Sequence, residues 1–111
     1  MSRNAQIGPL DWADGSYVFR LGWGELIALQ EAANAGPYVV LQRLASGTWE
    51  MGDISHVIRL GLVGGGLEPG KALTLVRDYV ETRPPAENLS FAQGILYAGV
   101  QGAPDEPLGG D

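Results

Sequence analysis

The hydrophobic period of this chain changes near residue 22, and that change limits its fold more than any other feature. Before it, Tyr17, Phe19 and Leu21 alternate onto one face, the period-two signature of a half-buried strand. After it, apolar residues recur every three to four positions, in stretches closed by glycine or proline. Such a chain predicts a short β-hairpin followed by a series of short helices. Asp14-Gly15 is the expected turn pair, because glycine tolerates positive φ. The first arm, residues 7–12, contains Pro9, which cannot donate to a ladder, so this arm should be an edge strand.

Five helical spans follow. Residues 23–35 carry Trp23, Leu26, Ile27, Gln30 and Ala33 at helical spacing, which places Trp23 in the core, and Gly36 suits the C-cap. Pro37 opens residues 37–46, whose stripe is Tyr38, Val40, Leu41, Leu44 and Ala45 and which stop at Gly47. Asp53 is the expected N-cap of residues 53–63, the clearest amphipathic helix, with Ile54, Val57, Ile58, Gly61 and Leu62 on one face. Gly64, Gly65 and Gly66 form the joint that ends it. Pro69 starts residues 69–82 with Ala72, Leu75, Val76, Tyr79 and Val80, and Arg83-Pro84-Pro85 stops them. Residues 86–101 carry Leu89, Ala92, Ile95, Leu96 and Gly99. The expected fold is therefore mainly α: one domain over residues 7–102, with an N-terminal β-hairpin and about five short helices. Residues 1–6 and the acidic 103–111 are expected to be disordered.

Composition supports this reading of the glycines. The chain has 17 glycines and 7 prolines in 111 residues, yet it is 45% hydrophobic, so a core is available. Most glycines fall between apolar stripes; Gly61, Gly94 and Gly99 fall within them, where each costs ~1 kcal/mol relative to Ala and permits close helix approach.

The search for chemistry is negative. There is no cysteine, hence no disulfide framework, thiol nucleophile or zinc-cysteine site. A net charge of −6 repels phosphate backbones, which argues against nucleic acid. No apolar run is long enough for a membrane span, and the N-terminus has no signal core, so the expectation is a soluble cytoplasmic protein. Gly65 to Lys71 mimics P-loop spacing, but Pro69 removes an amide, Glu68 places negative charge on the phosphate site, and Ala72 replaces the magnesium-binding hydroxyl. His56 is the single histidine, on the surface or boundary of a helix, and its neighbour Ser55 cannot face it. Asp78 and Glu81 lie beside Arg77 and Arg83 and read as a solvated charged face. No catalytic residue, cofactor or metal ligand is expected. The remaining candidates are Trp49 and Met51, in a joint with no periodic face to bury them, and Trp12 on the weak hairpin arm. Each tryptophan reads either as a partner contact or as simple packing.

The order of these pieces resembles the small tail-assembly proteins of alphaproteobacterial gene transfer agents and related tailed phages, whose members are tail assembly chaperones or tail tube proteins. The resemblance rests on the strand from Gly15 to Leu21, on Gly24-Glu25-Leu26 through Glu31, and above all on Asp53-Ile54 through Val57-Ile58-Arg59-Leu60-Gly61-Leu62-Val63-Gly64-Gly65-Gly66. Ala72, Leu75-Val76, Arg83-Pro84 and Ala92-x-x-Ile95-Leu96 follow in order. It implies a non-enzymatic role in building a tail, with a tape-measure or tail tube protein as partner. The expected activity is that of a chaperone; the alternatives are a minor tail component retained in the particle, and an unrelated regulatory or nucleotide-binding module. Oligomeric state stays open.

Overall fold

A computed structural model describes residues 5–102. Residues 1–4 and 103–111 lie outside the described residues, and with them the expectation of disorder for 103–111 and for most of 1–6; Gln6, also in that expected stretch, belongs to the first strand. The hairpin comprises β1 (Gln6–Trp12) and β2 (Gly15–Arg20), paired antiparallel with Trp12 opposite Gly15. The turn is therefore Ala13-Asp14, one residue earlier than the expected Asp14-Gly15. The positive φ of 57° falls on Ala13, while Gly15 opens β2. The register shifts between Ile7 and Leu10, the segment that holds Pro9 and leaves the first arm irregular.

The five helices are α1 (Trp23–Ala33), α2 (Pro37–Ser46), α3 (Met51–Gly64), α4 (Pro69–Tyr79) and α5 (Leu89–Gln101), with a 3-10 turn at Pro85–Asn88 leading into α5. The mainly α fold with an N-terminal hairpin is as expected, and its radius of gyration is 13.3 Å. Helix ends differ in instructive ways. Asn34, in the left-handed conformation at φ 54°, caps α1, so Gly36 serves α2 as N-cap instead. Asp53 is not the N-cap of α3: the helix starts two residues earlier, after Glu50, and Asp53 sits at its third position. There its carboxylate accepts the Glu50 backbone N–H at 2.9 Å.

α3 is the hub. It packs against β2, α1, α4 and α5, and buries Ile54, Val57, Ile58, Leu60 and Leu62. Burying a side chain of this kind stabilises the fold by about 1.5–3 kcal/mol. Its glycines let the backbones close. A Cβ at Gly64 would overlap the carbonyl oxygen of Arg20, and one at Gly65 would overlap that of Val18. The glycine run is thus the surface on which β2 is seated, besides being a joint. Gly61 similarly admits Ile95 and Phe19.

The hairpin is clamped by aromatic rings. Trp12 stacks on Phe91 at 5.8 Å and meets Phe19 edge-on at 5.9 Å, while Phe19 meets Phe91 at 4.9 Å. The indole Nε1–H of Trp12 donates to Asn88 Oδ1 at 3.1 Å, and Asn88 Nδ2 donates to the Tyr79 carbonyl at 3.2 Å. Asn88 is buried, so both bonds satisfy polar atoms that water does not reach.

Candidate partner-binding groove

α2 and α5 lie side by side and are tied at their inner edge. Gln93 Nε2 donates to the Leu44 carbonyl at 2.9 Å, a helix-end acceptor with no partner of its own in α2. On its inner side α2 is fixed to α3 by Arg43, whose Nε and NH2 reach the two oxygens of Asp53 at 3.0 and 2.8 Å. Val40 and Leu44 face the core, and so do Ala92, Ile95, Leu96 and Ala98 of α5. That leaves a second apolar face on each helix.

Between those faces runs an open groove of about 680 Å³. Its apolar walls are Tyr38, Leu41 and Ala45 from α2, and Tyr97 and Ala98 from α5, with Ile7 of β1 at one side. Its polar groups are the amides of Gln42, Gln93 and Gln101, and among the described residues no ionised side chain lines it. Gly94 opens on this space: a Cβ there would meet nothing within 4 Å. Tyr38 is 55% exposed and Tyr97 49%, a large apolar exposure for a domain of this size. The expectation that Tyr38 and Ala45 share the stripe of α2 with the core residues is therefore corrected, while Leu41 is partly buried against the core and also lines the groove. Val40 and Leu44 occupy the core, and Tyr38 and Ala45 turn to the groove.

The same correction applies to Trp23, which was expected in the core and is 85% exposed. Leu29 and Ala33 are the buried residues of α1, and Trp23 with Ile27 lies outside that line. The reason is that α1 is apolar around much of its circumference, so periodicity alone does not select the packed face. Trp23, Leu26, Ile27, Gln30 and Pro37 form a recess of about 230 Å³, one residue along the chain from Tyr38 of the main groove.

The structure separates the other candidates. Trp12 belongs to the aromatic clamp. Trp49 is half-buried and packs on the core. Met51 is 73% exposed and lines a different cleft, of about 330 Å³, with Val80, Glu81 and Arg83. The three therefore do not share one site. What the sequence reading missed is the second face of α5, a helix it did expect within residues 86–101. The segment Leu89–Gln101 carries no charged residue, and a helix without a polar face has two surfaces to cover.

The ionisable groups show structural roles. The Glu68 carboxylate accepts the Lys71 backbone N–H at 3.1 Å, so the start of α4 already holds an anion where the P-loop mimic would need phosphate. His56 is half-buried on α3; burial first, then the Arg59 charge, lowers its pKa below the usual value. Among the described residues no group of three His, Cys, Asp or Glu side chains could hold a metal ion. No helix there is long and apolar enough to cross a membrane.

The family model described as phage tail tube protein, GTA-gp10, matches residues 9–102, from within β1 to the end of the described domain. The chain belongs to this phage tail family. No curated protein and no solved structure matches it. The resemblance to gene-transfer-agent and phage tail proteins is thus membership, and the matched residues of this tail-family chain include both helices of the groove.

Proposed function

We propose that this tail-family protein is a non-enzymatic tail assembly chaperone that holds an apolar segment of a tape-measure or tail tube protein in the α2/α5 groove. The observation that carries the reading is the groove itself: an open apolar trough, free of ionised side chains among the described residues, on a chain with a net charge of −6. A trough of this kind suits a segment that is apolar and uncharged, the part of a long tail protein least soluble before assembly. The acidic remainder of the surface keeps the pair in solution. The site of action is the cytoplasm, before the tail closes, with neither nucleic acid nor membrane as partner. Catalysis has no place in this role.

The second reading, a component retained in the particle, is favoured by the description tail tube protein attached to the family. Mass spectrometry of purified particles separates the two, since a chaperone should be absent from them. The binding site is tested by co-expression with the neighbouring tape-measure or tube protein. Tyr38→Glu and Tyr97→Glu should each weaken the complex by about 2 kcal/mol, some thirtyfold in Kd. Both positions are solvent-facing, so stability should stay within about 0.5 kcal/mol. Unchanged binding in both variants would remove the groove from the mechanism.

A further inference from the structure

With the α2/α5 groove as the partner site proposed above, we infer that it takes two turns of a partner helix whose groove face is uncharged and whose far face is basic. Three observations converge. The first is the distribution of charge. The exposed residues lining the groove are Tyr38, Gln42 and Ala45 on α2, and Gly94, Tyr97 and Gln101 on α5. Each triplet spans two helical turns and holds no ionised side chain, whereas α4 exposes Lys71, Arg77 and Asp78. Residues 5–102 carry ten acidic side chains against six basic ones, and none of them lines the groove. The groove is thus an uncharged strip on an acidic body. A helix seated there with a basic far face is attracted by that body and buries no charge.

The second observation is what the walls can bond. Both are helices, whose backbone groups are paired internally and offer no ladder to a strand. Of the three lining amides, that of Gln93 is held by the Leu44 carbonyl, which leaves Gln42 and Gln101. An extended segment would bring a row of N–H and C=O groups into an apolar trough with those two amides to receive them, and each unmet group costs free energy. A helix arrives with its backbone already bonded and presents side chains alone. The third observation is size. α5 rises about 12 Å between Gln93 and Gln101, and partner side chains at i, i+4 and i+7 span about 10.5 Å along one face. Gly94 and Ala45, the neighbours of the bonded Gln93 and Leu44, are small and exposed and leave a seat for a large apolar anchor.

Fluorescent peptides of about 15 residues, or four turns, tiled across the neighbouring tape-measure and tube proteins and titrated into the full chain, test this by anisotropy. The tightest binders should carry uncharged apolar residues at i, i+4 and i+7 with Lys or Arg opposite. A central proline should weaken them about tenfold or more on the unaltered chain, because it breaks the helix. Raising salt from about 50 to about 300 mM should weaken them about threefold. Gly94→Leu in the chain fills the anchor seat and should weaken them about tenfold. Binders that alternate with period two or tolerate the proline overturn the inference. So do binders with acidic far faces that bind as tightly, and binding unchanged in Gly94→Leu. In each of these cases, sensitivity to Tyr38→Glu and Tyr97→Glu keeps the groove as the partner site. Binding that is absent, or indifferent to both tyrosines, removes the groove reading together with the helix.

Discussion

Two glycine-bearing helix faces in this molecule have opposite surroundings. At the end of α3, Gly64 and Gly65 lie against the carbonyls of Arg20 and Val18, with no room for a methyl group. On α5, Gly94 faces an open groove and touches nothing within 4 Å. The first face is where the fold closes, and the second is where it stays open. The lesson is that a glycine inside a helical pattern has two distinct uses, and only its neighbour tells them apart.

Substitutions should magnify that contrast. Gly64→Ala forces a Cβ into the β2 backbone, which cannot swing aside as a side chain could. It should cost about 4 kcal/mol or prevent folding, as read by denaturant unfolding. A stable Gly64→Ala protein would show that β2 is seated elsewhere. Arg43→Ala removes the partner of the buried Asp53 and loosens the inner side of α2, the wall of the open face. The expected loss is about 3 kcal/mol in the same assay, because the buried carboxylate loses its counter-charge and keeps only the Glu50 backbone N–H.

Gly94→Ala tests the open side and should have the opposite sign. The space is empty and the helix gains a better former, so stability should rise by ~1 kcal/mol. A loss would mean that the groove is closed in solution. The smallest effect concerns His56 on the closed side. Its pKa in the folded protein lies below the ordinary 6.5. The unfolded chain therefore binds more protons in the interval between the two values, and stability rises with pH there. Its contribution is complete above pH 6.5 and declines as pH falls through 6.5 to the folded value. Thermal unfolding of His56→Gln beside the parent should show a shallower decline across that interval. Parallel profiles would place the titration elsewhere.

Much of the fold could be read from the sequence, for identifiable reasons. α3 is legible because Ile54, Val57, Ile58, Gly61 and Leu62 hold one helical face; that the helix is central, with eight of its fourteen residues buried, is a matter of the tertiary structure. Pro37 and Pro69 marked the starts of α2 and α4, since a ring that fixes φ and lacks an N–H suits a first helical turn. Gly47, at φ 80°, ended α2 where expected. Turn and cap details were less legible. Ala13 takes the positive φ that Asp14-Gly15 suggested for glycine, and Asn34 takes the cap assigned to Gly36. Local chemistry tolerates both choices there, and strand register and helix packing select one.

The groove was the least legible feature. Tyr38, Leu41 and Tyr97 have the same apolar character as their buried neighbours, and Trp23 resembles a core residue more than any of them. By itself, the sequence determined which segments become helices, the absence of cysteine chemistry, and the kinship to tail proteins. Each of these depends on a residue and its near neighbours. Only the tertiary structure decided which face of α1, α2 and α5 meets the core. A helix that is apolar on two sides satisfies its local rules whichever side is packed, and the choice falls to the elements that reach it across the fold.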